Sequence, residues 1–155
     1  EEGRILNEKT TGDLAAVENN KTAVRNLLSK QLNSYHLAHI TKSPKIYDDF
    51  GGSNLYDYQI NNDILIKAIS FDYKRINQLS AELKNVIYDL KQPNIEKFAK
   101  VILTRNDNLE FISKKNKLAF KNFNKEIVKI QNTKNLKIDL IPLSELERTL
   151  NKSKF

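Results

Sequence analysis

The stretch from Asp57 to Gln92, DYQINNDILIKAISFDYKRINQLSAELKNVIYDLKQ, decides how the rest of the chain is read. Ile69, Ile76, Leu83 and Leu90 recur at sevens, and Leu65, Leu79 and Val86 take the companion positions. A repeat of that kind is a heptad seam, so the spacing predicts one long helix over 57–92. Asp72 breaks the companion row, which predicts a kink or a break near Ser70 to Asp72. Pro93 ends the helix, because a residue before proline is pushed out of the helical region.

Outward from this stretch the same period persists. Leu14, Val17, Val24, Leu28, Leu32 and Tyr35 form one stripe and predict a helix from Asp13 to Leu37, capped by Thr11 or Asp13. Residues 41–56 read as a connector, with a short helical turn at Ser43-Pro44 stopped by Gly51-Gly52. Beyond Pro93, Ile95, Phe98, Ile102, Leu109 and Ile112 continue a helical stripe, and the stretch from Arg105 to Asn108 is weak enough to split it. A further helix is predicted from Phe111 to Gln131. Leu136, Ile138 and Leu140 then alternate with Lys137 and Asp139, which predicts a short strand or an extended tail near 136–141. Ser144 can cap a last helix through Leu150. The fold class expected is all-α: a bundle of three long helices plus short ones, as a single helical domain over 11–155 behind a frayed tail at 1–10.

Composition agrees with one domain. The chain has 155 residues, of which 39% are apolar, enough to bury a core. No run of eighteen apolar residues exists, so no transmembrane helix is expected. Four Gly and three Pro are few for a sandwich or barrel of many tight turns. With no Cys, disulfides, thiolate chemistry and Cys-based zinc sites are excluded. The chain starts without Met, and any targeting segment is expected upstream.

The net charge of +7 is concentrated. Residues 1–50 carry seven basic and seven acidic side chains, residues 51–92 five of each, and residues 93–155 fourteen basic and seven acidic. Between Lys114 and Lys137 eight lysines face one acid, Glu126. With Lys114 set at 0°, Lys117, Lys121, Lys125 and Lys129 fall at about 300°, 340°, 20° and 60° on a helical wheel. Ala119, Phe120, Phe123, Ile127 and Ile130 fall at about 140° to 240°, on the opposite face. Lys114, Lys117, Lys121, Lys125, Lys129, Lys134 and Lys137 are therefore the candidate polyanion-binding residues. Like charges four apart repel by a few tenths of a kcal/mol, and a purely structural helix would interleave acids. The competing reading is a solvated lysine face that has no ligand.

Tyr47, Asp48, Asp49, Phe50, Tyr56 and Tyr58 make the connector acidic and aromatic, a mixture found in recognition surfaces. They are the candidate partner-binding residues; the competing reading packs the aromatics inward with the aspartates as caps. Asp48 and Asp49 lack the ligand alternation of a calcium loop. His36 and His39, three apart, could share one helical face, and Asp48 or Asp49 could swing close, but no further ligand is evident and structural histidines are expected. No phosphate-binding glycine loop, nucleophile elbow or metalloprotease motif is present, so no enzyme activity, metal or cofactor is expected.

The passages Glu18-Asn19-Asn20-Lys21-Thr22, Lys121-Asn122-Phe123-Asn124-Lys125 and Asn151-Lys152-Ser153-Lys154, with the helical organisation, resemble the small outer-surface lipoproteins of Lyme-type spirochaetes. The resemblance implies a lipid-anchored ectodomain on the outer membrane, with its N-terminus leading to the anchor. It carries no functional residue across, since no stretch aligns to a member. The function expected is a non-catalytic, surface-exposed binding module contacting host protein or a sulfated glycosaminoglycan. The alternatives are a non-specific nucleic-acid-binding protein of cytoplasmic location, gripping phosphates through 114–137, and a self-assembling structural protein paired through the seam from Ile69 to Leu90.

Overall fold

A computed structural model of the chain describes residues 26, 30, 40–53, 55–105, 107, 111 and 113–153. Its centre is a five-stranded mixed sheet, which overturns the all-α bundle. The strands are β1 (Ile40–Lys42), β2 (Tyr58–Ile60), β3 (Ile64–Ala68), β4 (Lys100–Arg105) and β5 (Lys137–Pro142), side by side in chain order. The helices among the described residues are α1 (Ile76–Leu90), α2 (Lys114–Lys134) and α3 (Leu146–Ser153), apart from isolated helical residues Asn26 and Lys30.

The first three strands pair antiparallel, with Tyr58 opposite Lys42 on one side and Ile66 on the other. Asn61, at φ 52°, turns the chain between β2 and β3. From β3 onward the pairing is parallel: Leu65 meets Val101, which meets Ile138. Parallel neighbours need crossovers, and α1 and α2 supply them. The chain steps the same way across the sheet twice, so both crossover helices lie on one face. There Leu65, Val101, Leu103 and Ile138 pack against Leu79, Leu83 and Val86 of α1 and Phe123, Ile127 and Ile130 of α2. On the other face Tyr58, Ile60, Ile66 and Ile102 share a cluster with Leu146 and Leu150 of α3.

Each departure from the helical expectation has a local cause. Of the helix expected over 57–92, only Ile76–Leu90 is helical; its first part is β2 and β3. The seam is real within α1, where Leu79, Leu83, Val86 and Leu90 are buried. It runs on through Leu65 and Ile69 only because β3 is buried on both faces and so shows no alternation. The helix expected after Pro93 is a 3₁₀ turn, Pro93–Ile95, followed by β4. Val101, Ile102 and Leu103 have no exposed surface, and burying each stabilises the sheet by about 1.5–3 kcal/mol. Pro44 starts no helical turn; residues 44–48 are irregular. Of the seam offered for self-assembly, Leu65, Ile69, Leu79, Leu83, Val86 and Leu90 are buried within this chain. The alternating segment near 136–141 forms edge strand β5. The tail at 1–10, the helix over 13–37, His36 and His39 lie outside the described residues, save Asn26 and Lys30. Over the described residues, the helical make-up expected for 11–155 is corrected to mixed α/β.

Candidate polyanion-binding surface

The surface rests on α2, and the sequence fixes that helix at both ends. Ser113 is its N-cap: its Oγ accepts from the Asn116 amide at 3.2 Å and donates to Asn116 Oδ1 at 2.8 Å. Asn116 is buried, and its Nδ2 donates to the carbonyls of Phe71 at 3.1 Å and Tyr73 at 2.8 Å. The start of α2 is thereby tied to the segment that follows β3. Phe120 and Phe123 meet the Phe71 ring edge-on at 4.9 and 5.9 Å. Asn135, in the left-handed conformation, ends the helix. Held at cap, core and end, α2 is a rigid platform.

On its outer side the lysines line up. Lys114, Lys117, Lys121 and Lys125 are exposed, while Phe123, Ile127 and Ile130 point into the core. None of these four lysines forms an ion pair with a described residue. Lys115, absent from the expected set, is exposed beside them. The first turn therefore holds Lys114, Lys115 and Lys117 and no acid, at the positive end of the helix dipole. Cations there repel the helix end, and a bound anion would relieve them.

The remaining expected lysines differ. Lys129 pairs with Glu126 at 3.1 Å. Lys134 turns away from the row, donating to the Lys91 carbonyl and pairing with Glu96 at 3.3 Å. Lys137 is on β5, outside the helix, beside a polar pocket lined also by Lys100 and Asp139. The ridge is thus Lys114 to Lys125, with Lys129 at its edge.

The connector residues divide as well. Tyr56 and Tyr58 are 2% and 3% exposed and belong to the core, so they have no place on a contact surface. Asp48 holds its own loop: Oδ1 accepts from the amides of Phe50 and Gly52, each at 2.8 Å. Gly51 takes φ 82°, and a Cβ on Gly52 would lie 2.7 Å from Asp48 Oδ2. Asp49 accepts from the Tyr88 hydroxyl at 3.1 Å. Tyr47 and Phe50 remain outside, at 54% and 86% exposure, and Phe50 stacks on Tyr88 at 6.2 Å.

Behind this loop lies a charged cluster that the sequence reading missed. The Asp89 carboxyl is pushed up to about 6 by burial and by the neighbouring charges of Asp48 and Glu82, against the pull of Lys67. The Tyr56 hydroxyl, buried without a hydrogen-bond partner among the described residues, is raised far above the usual phenol range by burial and then by Asp89. Lys67 Nζ donates to the Leu55 carbonyl at 2.8 Å, and Asp57 Oδ2 accepts from the Ala68 amide at 2.8 Å. Among the described residues no group of three His, Asp or Glu is placed to hold a metal, and no helix is long and apolar enough to cross a membrane.

No family model, curated protein or solved structure matches this chain.

Proposed function

We propose that this protein is a non-catalytic binding module for a linear polyanion, held along α2 by charge and not by sequence. The observation that carries the reading is the row Lys114, Lys117, Lys121 and Lys125, exposed on one rigid helix without a described carboxylate to neutralise it. Lysine offers a point charge without a planar fork, so the grip reads anion density rather than base identity or sulfate pattern. The shared chemistry is a chain of sulfates or phosphates. A sulfated glycan would accord with a place at a cell surface, and a nucleic acid with a place inside the cell.

Competition separates the two. Heparin and a duplex of equal total charge compete for the same protein at fixed salt. Preference for heparin supports the glycan, and preference for the duplex supports the nucleic acid. Equal and salt-insensitive retention of wild type and of a variant with Lys117, Lys121 and Lys125 changed to Glu would sink both.

A further inference from the structure

We propose that the groove between α1 and α2 binds an amphipathic acidic helix of a partner protein. The groove encloses about 650 Å³ on the solvent side of the two crossover helices. Its apolar lining comes from Ile76, Leu83 and Ile87 on α1 and from Leu118 and Phe123 on α2. The lining residues Ile76, Ser80, Leu83 and Ile87 on α1 and Lys91 at its C-cap recur at steps of three and four, so that wall is one straight row. From Ile76 to Lys91 the row is about 22 Å long at 1.5 Å per residue, room for some four turns of a third helix.

Apolar surface extends past the groove. Leu118 is 57% exposed, and Tyr88, at the other wall, is 39% exposed and stacks on Phe50. A polyanion has no apolar stripe and would gain nothing from this lining, whereas a helix laid in a groove uses it directly. The rim selects the sign of the partner. Lys84, Lys91 and Lys115 border the groove, and the one acid among its described lining residues, Glu126, is engaged by Lys129 at 3.1 Å. A second copy of this chain would bring the same lysines against these, so like charges would meet. A helix with leucines on one face and glutamates on its flanks satisfies both the lining and the rim.

The groove adjoins the lysine ridge along Leu118, and the test separates their contributions. The isotope-labelled full chain is titrated at about 150 mM salt, where the screening length is about 8 Å. The probe is a synthetic 18-residue peptide carrying a leucine stripe and glutamates elsewhere. One control replaces every Glu by Lys, and a second keeps the composition but scrambles the stripe. The expected result is amide shifts at Leu83, Ile87 and Leu118 and binding at least tenfold tighter than either control. Leu118→Glu weakens it at least tenfold, as does Leu118→Ser, both at unchanged melting temperature because the side chain is already exposed. Lys117→Gln with Lys121→Gln and Lys125→Gln changes it less than threefold. Equal binding of the scrambled peptide, or shifts confined to the ridge, would overturn the proposal in favour of charge alone. A dimer that Leu118→Glu dissociates would assign the groove to a second copy. Cross-peaks from the Leu118 methyls to residues 1–39 in the unbound protein would show it filled from within; either result also overturns the proposal.

Discussion

Neutralising one lysine of the ridge should change a slope, and the size of that change follows from the geometry. Lys114 to Lys125 spans about 16 Å of helix at 1.5 Å per residue. Over that length one strand of a duplex presents about five phosphates, at 3.4 Å each. Four free lysines then neutralise about four of them. Each releases counterions, so the logarithm of affinity falls with the logarithm of salt at a slope of about −0.9 per contact, or about −3.6 in all. Raising salt from about 50 to about 200 mM should weaken duplex binding about 150-fold for the wild type. Lys121→Gln should lower the slope to about −2.7 and the loss to about 40-fold, and the triple Gln variant at 117, 121 and 125 to about −0.9. Fluorescence anisotropy of a labelled 20-base-pair duplex reads these slopes. Folding is not a confound. The three side chains are exposed, and their removal relieves repulsion between neighbours four apart, so stability should hold or rise slightly. A slope near zero in the wild type, or one the triple variant leaves intact, would refute the assignment of the ridge.

Three further substitutions test the frame. Asn116→Ala removes two donated hydrogen bonds and one accepted, and strands the carbonyls of Phe71 and Tyr73, so urea unfolding should show a loss of about 3 kcal/mol. Tyr56→Phe deletes a buried hydroxyl that has no described partner; stability should be unchanged or up to about 1 kcal/mol higher, and a clear loss would mean the hydroxyl is bonded. Asp89, with its carboxyl at about 6 in the fold against 3.8 ordinarily, favours the folded state most when protonated. That contribution is complete below about pH 3.8 and is lost as pH rises through about 6. Since the group is only partly buried and solvent screens much of the effect, the difference should be about 1 kcal/mol, and Asp89→Asn should be more stable than wild type at pH 7 by that amount, with no advantage near pH 4.

The helical half of the fold was legible because α1 and α2 each have one buried and one wet face. Their period of 3.6 appears in the sequence as it does in space, and α2 lies within three residues of its expected bounds at each end. The strands were not legible for a converse reason. β3 and β4 sit at the middle of the sheet with both faces covered, so Ile64 to Ile66 and Val101 to Leu103 give apolar runs without alternation. Such a run fits any period, and a seven-residue stripe passes through it without conflict. Turn counting misled in the same direction. Glycines are few, yet Asn61 and Asn135 take positive φ at the β2–β3 turn and at the end of α2. Asparagine tolerates that region because its short side chain bonds to nearby backbone, so part of the chain's abundant asparagine serves as its turn residues. Tyr56, Tyr58 and Ile60 before Asn61-Asn62-Asp63, and Ile64 and Ile66 after it, carried the hairpin signal.

The site divides along the same line. A residue's azimuth on α2 could be computed from numbering alone, and the ridge from Lys114 to Lys125 follows from it. Leu118 and Val128, at about 40° and 320° on that wheel, fall among the lysines and stand 57% and 53% exposed. Two large apolar side chains on a charged face are a sequence-visible departure from amphipathic patterning, and Leu118 is the one that borders the groove. What numbering could not give was the neighbour. Whether Lys134 is free depends on Lys91 and Glu96, and whether Leu118 faces open water depends on Ile87 and Tyr88 across the groove. Both contacts come from the region of α1 and the turn after it, brought beside α2 by the parallel pairing of β3, β4 and β5. The sheet therefore determines how many of the expected lysines are free and creates the groove beside them. A reading that treated α2 as one helix of a bundle could place its charges but not its partners.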